Sequence, residues 1–112
     1  PMPAMSRGEW RRVNAAAGVL PLDLYAVIDD PADVLPDGTS MASLGTDIAD
    51  IYRDVVGALR LFERGHRNAA VWYWRLSLRA HWGGHATSAL HALQAWINEL
   101  GSASQASMGQ VN

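Results

Sequence analysis

Apolar residues recur at helical spacing between residues 44 and 63. At 100° per residue they fall on one face of an α-helix. Asp47 in the first turn and Arg60 in the last turn carry the charges that suit the helix dipole. Gly65 follows, as glycine commonly does just beyond a helix end. The sequence therefore predicts a long amphipathic helix whose core-facing residues are Leu44, Ile48, Ile51, Tyr52, Val55, Leu59 and Phe62.

A shorter helix is predicted upstream. Ser6 and Glu9 stand three residues apart, the spacing of a capping box, in which the two residues satisfy each other's backbone amides. Helically spaced apolar residues follow, and Gly18 is placed to end the helix. We therefore expect a helix over about 7–17, which needs to dock on the rest of the fold because it is too short to be stable alone.

The segment 19–45 has no helical period. Proline and aspartate residues punctuate it, and both residue types favour turns. The apolar residues between Leu22 and Ile28 are too many for a free linker. We expect an ordered connector that packs across the helices, with one helical turn over about 22–28.

The C-terminal half predicts two more helices. The first is capped by Asn68 and runs to about Trp82. Gly83-Gly84 would break or kink it there, because each glycine disfavours a helix by about 1 kcal/mol. The second ends at Gly101. The fold class is therefore all-α, a small helical bundle of three main helices plus the short N-terminal one. The expected limits are a disordered N-terminus at 1–5, one domain at 6–100 and a disordered tail at 101–112.

Composition excludes several kinds of function. The 112 residues include no cysteine and no lysine, which rules out thiolate metal sites, Schiff bases and phosphate-loop lysines. A net charge of -2 with scattered arginines disfavours a nucleic-acid partner. No apolar run reaches the roughly 18 residues of a membrane span, and no signal peptide is recognisable. We expect a cytoplasmic protein with no cofactor, no nucleic-acid partner and no membrane partner.

Acidic and basic residues are placed to meet between the second and third predicted helices. Asp47, Asp50 and Asp54 form one acidic edge at i, i+3 and i+7. Arg75 and Arg79 lie one turn apart on a helix that is apolar nearly all round, and such a helix is expected to be buried. Buried arginines need partners, so antiparallel packing predicts an ion-pair network that joins Asp50 and Asp54 to both arginines. That network would either fix helix register or bind an anionic ligand in place of the carboxylates.

Two of the four histidines have the spacing of metal ligands. His81 and His85 lie at i and i+4, where two imidazoles on one helix can share a metal ion. With Asp50 they would form a two-histidine, one-carboxylate site for a divalent metal. The two glycines between them argue against a continuous helix, and the intervening carboxylate of zinc hydrolases is missing. A hydrogen-bonded histidine pair at a helix junction is the alternative.

Tryptophans concentrate on the third predicted helix. Trp72, Trp74 and Trp82 either fill the core or form an interaction surface. Because Trp72 and Trp74 lean to different faces, one of them can be exposed and anchor a partner. No catalytic constellation is present, so we expect a non-enzymatic interaction or accessory module that binds a protein partner or associates with itself. The alternative is a domain that binds a small anion or a divalent metal.

Three segments resemble one bacterial family. They read DIADIYRD from Asp47, VWYWRLSL from Val71 and HWGGHA from His81. They resemble the family named domain of unknown function 5063, over about residues 24–96. Tyr73 departs from the family, which tends to have glutamate there, and the N-terminal helical part is short, so a missing helix would leave the bundle open to a partner or a second copy. The resemblance implies no function, but it implies that these residues form one constellation: Asp50, Tyr52, Arg53, Asp54, Trp72, Trp74, Arg75, His81, Trp82 and His85.

Overall fold

The computed structural model is a mainly helical protein with a β-hairpin between its first two helices. It describes residues 5–109 except 29, 31 and 33–38, and side chains as far as residue 101. The elements in chain order are α1 (Arg7–Ala17), β1 (Leu24–Ile28), β2 (Thr39–Ser43), α2 (Leu44–Glu63), α3 (Arg67–Ser77), a π-helical turn (Leu78–Trp82) and α4 (Gly83–Gly109). The predicted helical fold class is confirmed, with the hairpin as an addition.

The limits of the first two helices agree with the sequence. The Ser6 hydroxyl accepts from the Glu9 amide, the Glu9 carboxylate accepts from the Ser6 amide, and α1 ends before Gly18. The α2 helix begins after Ser43, whose hydroxyl caps it. It ends before Gly65, whose φ of 90° lets the Gly65 and His66 amides donate to the carbonyl oxygens of Phe62 and Leu61 in the last turn. None of the described helices is both long and apolar enough to cross a membrane.

The expected helical turn over 22–28 is wrong, because this stretch forms a strand. β1 pairs antiparallel with β2, with Leu24 opposite Ser43 and Ile28 opposite Thr39. Along β1, exposed and half-buried residues alternate, and Tyr25 and Val27 lie on the inner side. That alternation has the two-residue period of a strand, and its aromatic and β-branched residues favour one. The strand places Tyr25 against the start of α2.

Asp23 joins the hairpin to α2. Its carbonyl oxygen accepts from the Leu44 amide at 2.8 Å, and its carboxylate accepts from the Ser43 hydroxyl at 2.7 Å. A carboxylate at a helix N-terminus is stabilised by the unpaired amides and the helix dipole. The first turn of α2, which contains Asp47, is therefore held in place by the residue that precedes β1.

The buried side of α2 differs from the predicted apolar stripe. Ala49 and Ala58 are fully buried, whereas Tyr52, Leu59 and Phe62 keep 39–44% of their surface exposed. Small residues allow the neighbouring helices to approach closely. At Gly45, for example, an added Cβ would lie 2.7 Å from the Asn14 side chain of α1. Because the small residues face the neighbouring helices, the large residues Tyr52, Leu59 and Phe62 are turned partly toward solvent. The same orientation of α2 turns the acidic edge inward.

Three predictions about the C-terminal half are corrected. Asn68 does not cap the third helix, which starts at Arg67 with His66 at the cap position and has no side-chain cap. The helical path is not broken at Gly83, because a π-helical turn carries it into α4. The last helix does not end at Gly101 but continues to Gly109. The domain limits stay a prediction, and residues 1–4 and 110–112 lie outside the described ones.

The expected burial of α3 on all sides is also wrong. Ala70 and Ser77 are its only buried residues in the described chain, and apart from the half-buried Trp74 its large apolar residues are exposed. Trp72 is 64% exposed, and Leu76 and Leu78 are 46% and 44% exposed. One narrow face of α3 packs on α2, so the opposite face remains uncovered.

Candidate metal centre

The three aspartates of α2 lie on the side that faces the π-helical turn and α4. Only 2% of Asp47 and 5% of Asp54 is exposed, and Asp50 is half-buried. Buried carboxylates are costly unless they are paired or hydrogen-bonded. Here the partners are histidines, tyrosines, a tryptophan and one arginine.

Each of the two facing histidines is held by its own aspartate. His81 Nδ1 lies 2.6 Å from Asp54 Oδ2, and His85 Nδ1 lies 2.6 Å from Asp47 Oδ1. An ionised carboxylate can only accept a hydrogen bond, so we assign a proton to each Nδ1, which donates it. In the neutral imidazoles this assignment leaves the lone pair on Nε2.

The two Nε2 atoms and one carboxylate oxygen converge. His81 Nε2 and His85 Nε2 are 3.2 Å apart, and Asp50 Oδ2 lies 3.6 Å from the second and 3.9 Å from the first. Two ligands at about 2.0–2.1 Å from one tetrahedral metal ion lie about 3.3–3.4 Å apart. Movements of a few tenths of an ångström would therefore bring all three atoms into the coordination sphere of a single ion.

Asp50 is turned so that one oxygen remains available. The Trp10 Nε1 donates to Asp50 Oδ1 at 2.9 Å, and the Arg53 guanidinium lies 3.4 Å from the same oxygen. Arg53 also lies 3.9 Å from Asp54 Oδ1. Oδ2 is left facing the imidazoles. Hydrogen bonds of this outer kind fix the orientation of metal ligands in proteins.

Two tyrosines complete the surroundings of the aspartates. The Tyr25 hydroxyl donates to Asp47, and the Tyr73 hydroxyl donates to Asp54 at 3.3 Å. Burial, reinforced by the hydrogen bond to Asp47, raises the pKa of Tyr25 well above its ordinary value. Burial and the charge of Asp54 likewise raise the pKa of Tyr73. Both phenols therefore stay protonated at neutral pH and serve as donors.

The π-helical turn depends on Gly83. Its amide donates to the carbonyl oxygen of Leu78, five residues earlier. A Cβ at Gly83 would lie 2.3 Å from that oxygen, whereas a Cβ at Gly84 would meet nothing within 4 Å. The turn keeps the helical path continuous between His81 and His85, so both face α2. π-Helical turns of this kind occur frequently at functional sites.

The predicted ion-pair network with Arg75 and Arg79 is not formed. Both arginines are exposed, and neither has a carboxylate partner among the described residues. Asp50 and Asp54 contact the two histidines and Arg53 instead. Because α3 is apolar nearly all round, its sequence does not determine which face meets α2. An anion site built on displaced carboxylates has no support from this arrangement.

The three candidate tryptophans have different environments. Trp72 is mostly exposed on the outer face of α3. Trp74 is half-buried, and its Nε1 donates to the Val55 carbonyl at 3.3 Å. Trp82 is half-buried, and its buried Nε1 has no hydrogen-bond partner within the described chain. Trp72 is therefore the one of the three that presents a large accessible surface.

Two contributors to the centre were not identified from the sequence. Trp10 lies on the first helix, which was expected to dock on the fold, but periodicity gives no indication that its partner is Asp50, 40 residues away. Tyr25 lies in a segment predicted as a connector. The available signal was the aromatic and β-branched residues between positions 24 and 28, which favour a strand.

A comparison with protein-family models gives one match, to a domain of unknown function (DUF5063), over residues 13–98. The chain belongs to this family. The match starts upstream of residue 24 and includes the end of α1, and it contains every aspartate and histidine of the centre. No curated protein and no solved structure matches the chain. The family's description gives no function, so the function is argued from the centre itself.

Proposed function

We propose that this DUF5063 domain binds one divalent transition-metal ion through Asp50, His81 and His85. The observation that carries the proposal is the approach of the two Nε2 atoms to 3.2 Å while each Nδ1 atom lies 2.6 Å from an aspartate oxygen. Two imidazole lone pairs that face each other beside a carboxylate repel unless a cation lies between them. A metal ion satisfies all three at once.

The donor set indicates the class of metal. Two imidazoles and one carboxylate suit Zn²⁺ and the neighbouring first-row ions, whereas Mg²⁺ and Ca²⁺ prefer sites made of oxygen ligands. The aspartates behind His81 and His85 raise the donor strength of the imidazoles, as they do in known carboxylate–histidine–zinc arrangements. A proton shared by the two Nε2 atoms is the competing explanation, and it predicts no affinity for metals.

Metal titration of the protein separates these two explanations. After dialysis against EDTA, we expect Zn²⁺ to bind with a stoichiometry of one by calorimetry. At a free concentration of about 100 Kd it should add about 2.7 kcal/mol of stability, visible as a rise in Tm of several degrees. Mg²⁺ at the same concentration should leave Tm unchanged. A folded protein that takes up neither Zn²⁺, Co²⁺ nor Ni²⁺ would exclude the metal function.

A second candidate function is docking of an acidic protein segment on the outer face of α3. Trp72 and Leu76 are exposed there beside Arg75 and Arg79, and neither arginine has an acidic partner in the described part of the chain. Exposed tryptophan and arginine are the residue types most enriched at binding hot spots. The charge of the two arginines favours a partner that combines carboxylates with apolar side chains.

A labelled amphipathic peptide of leucine and glutamate tests this surface. We expect this peptide to bind, and we expect its affinity to fall as the salt concentration rises. It should also bind more tightly than the same peptide with lysine in place of glutamate. Arg75→Glu should weaken binding at least fivefold, whereas Arg11→Glu on α1 serves as the control of equal charge change. Equal affinity of both variants would exclude the α3 face. A dimer in sedimentation that Trp72→Ser dissociates would assign the same face to self-association.

A further inference from the structure

A cavity adjoins the two histidines. It has a volume of about 490 Å³, and His81, His85 and Asp47 form part of its wall. The metal-facing set of the described chain consists of Asp50, His81 and His85, each of which offers one ligand atom. A site with three protein ligands keeps at least one coordination position for an exchangeable ligand, as catalytic zinc sites do and structural ones do not.

This cavity continues into a larger apolar groove between β1 and α4. The groove has a volume of about 750 Å³, and five residues line both spaces: Tyr25, Val27, Ile28, Thr87 and Ser88. Further along α4 the groove is lined by Ala92, Ala95 and Trp96. An occupant of the cavity could therefore extend along the groove without leaving the protein surface.

We infer that the exchangeable position takes a small molecule with a monoanionic oxygen-donor head, such as a carboxylate, and an apolar body that lies in the β1–α4 groove. This inference rests on the proposed metal binding. Asp50 is the one carboxylate in the metal-facing set, and the carboxylates of Asp47 and Asp54 lie behind the imidazoles. The coordination sphere of a divalent ion therefore keeps one positive charge that an anionic head neutralises. The walls of alanine, valine, isoleucine and tryptophan side chains suit an uncharged chain or ring.

The Co²⁺-loaded protein, titrated with acetate and with octanoate, tests the inference. Co²⁺ at a histidine and carboxylate site absorbs visible light, and its spectrum changes when a ligand enters the coordination sphere. We expect both carboxylates to change the spectrum. Octanoate should bind at least tenfold more tightly than acetate, since each buried methylene contributes roughly fourfold in affinity.

A pair of variants separates the groove from the metal. Ala95→Trp fills the groove and should reduce the preference for octanoate to less than threefold, while acetate and Co²⁺ bind as in the unaltered protein. Gln94 is an exposed neighbour of Ala95 that does not line the groove, so Gln94→Trp should keep the preference for octanoate.

Each way in which this experiment can fail has its own meaning. A Co²⁺ complex whose spectrum neither carboxylate changes would have a closed coordination sphere, which overturns the inference and leaves the metal function intact. Equal affinities for acetate and octanoate would overturn the assignment of the groove. Absence of Co²⁺ binding would overturn both the inference and the proposed function.

Discussion

Replacing His85 by alanine is expected to weaken Zn²⁺ binding at least 100-fold. The change removes one of the three converging atoms and leaves two, and even the loss of an outer hydrogen bond to a ligand costs about 10–100-fold in metal affinity. His91→Ala is the matched control, because His91 is an exposed histidine of the same helix and is not in the metal-facing set. Calorimetric titration of the two variants measures the difference.

The same substitution also acts on stability. Asp47 is 2% exposed and would keep the Tyr25 hydroxyl as a partner but lose the imidazole. A buried group that loses a hydrogen-bond partner destabilises a fold by about 1–3 kcal/mol. Asp50→Asn provides a variant with less risk to folding, because its retained oxygen can still accept from Trp10. If His85→Ala, Asp50→Asn and His91→Ala all bind Zn²⁺ as the unaltered protein does, these residues are not the ligands.

Local signals in the sequence determined the helix ends that they control. The capping box of Ser6 and Glu9 predicted the start of α1, and Gly65 predicted the end of α2, since both depend on residues within one turn. The i, i+4 histidines and Asp50 could also be grouped in advance, because helical spacing places ligands on one face. All of these features depend on residues that are close together in the sequence, so the spacing of residues is enough to predict them.

Local signals of this kind do not determine how a helix is rotated about its own axis. The α3 helix has large apolar residues on most sides, so the sequence does not distinguish the side that meets α2 from the side that meets water. Burying Ala70 and Ser77 brings Tyr73 to Asp54 and leaves Arg75 and Arg79 outside. The predicted ion-pair network failed for this reason. Close packing of small residues, more than total hydrophobicity, sets the rotation.

The outer contacts of the centre come from three elements that do not carry the ligands. Trp10 of α1 holds Asp50, Tyr25 of β1 holds Asp47, and Tyr73 of α3 holds Asp54. The ligands themselves are on α2, the π-helical turn and α4. Such long-range contacts cannot be derived from spacing along the chain. They also mean that metal binding would link β1 and all the helices of the described chain, so binding energy would appear directly as folding stability.

Gly83→Ala and Gly84→Ala should have opposite effects, although both place the same side chain in neighbouring helical positions. Alanine is favoured over glycine in a helix by about 1 kcal/mol, so Gly84→Ala, which meets nothing within 4 Å, should be neutral or stabilising. At Gly83 the new Cβ would lie 2.3 Å from the Leu78 carbonyl oxygen, a backbone atom that cannot move alone. Overpacking against fixed atoms costs about 1–3 kcal/mol, which exceeds the gain in helix propensity.

The effect of Gly83→Ala on metal binding should be larger than its effect on stability. If the clash converts the π-helical turn into α-helix, the following residues shift by one position, or about 100° around the helix axis. His85 would then turn away from His81 and Asp50, and Zn²⁺ affinity should fall at least 100-fold in this variant while Gly84→Ala binds normally. Urea unfolding and calorimetric titration of the two variants provide the comparison. Equal stability and equal Zn²⁺ affinity in both would show that the π-helical turn does not position the histidines.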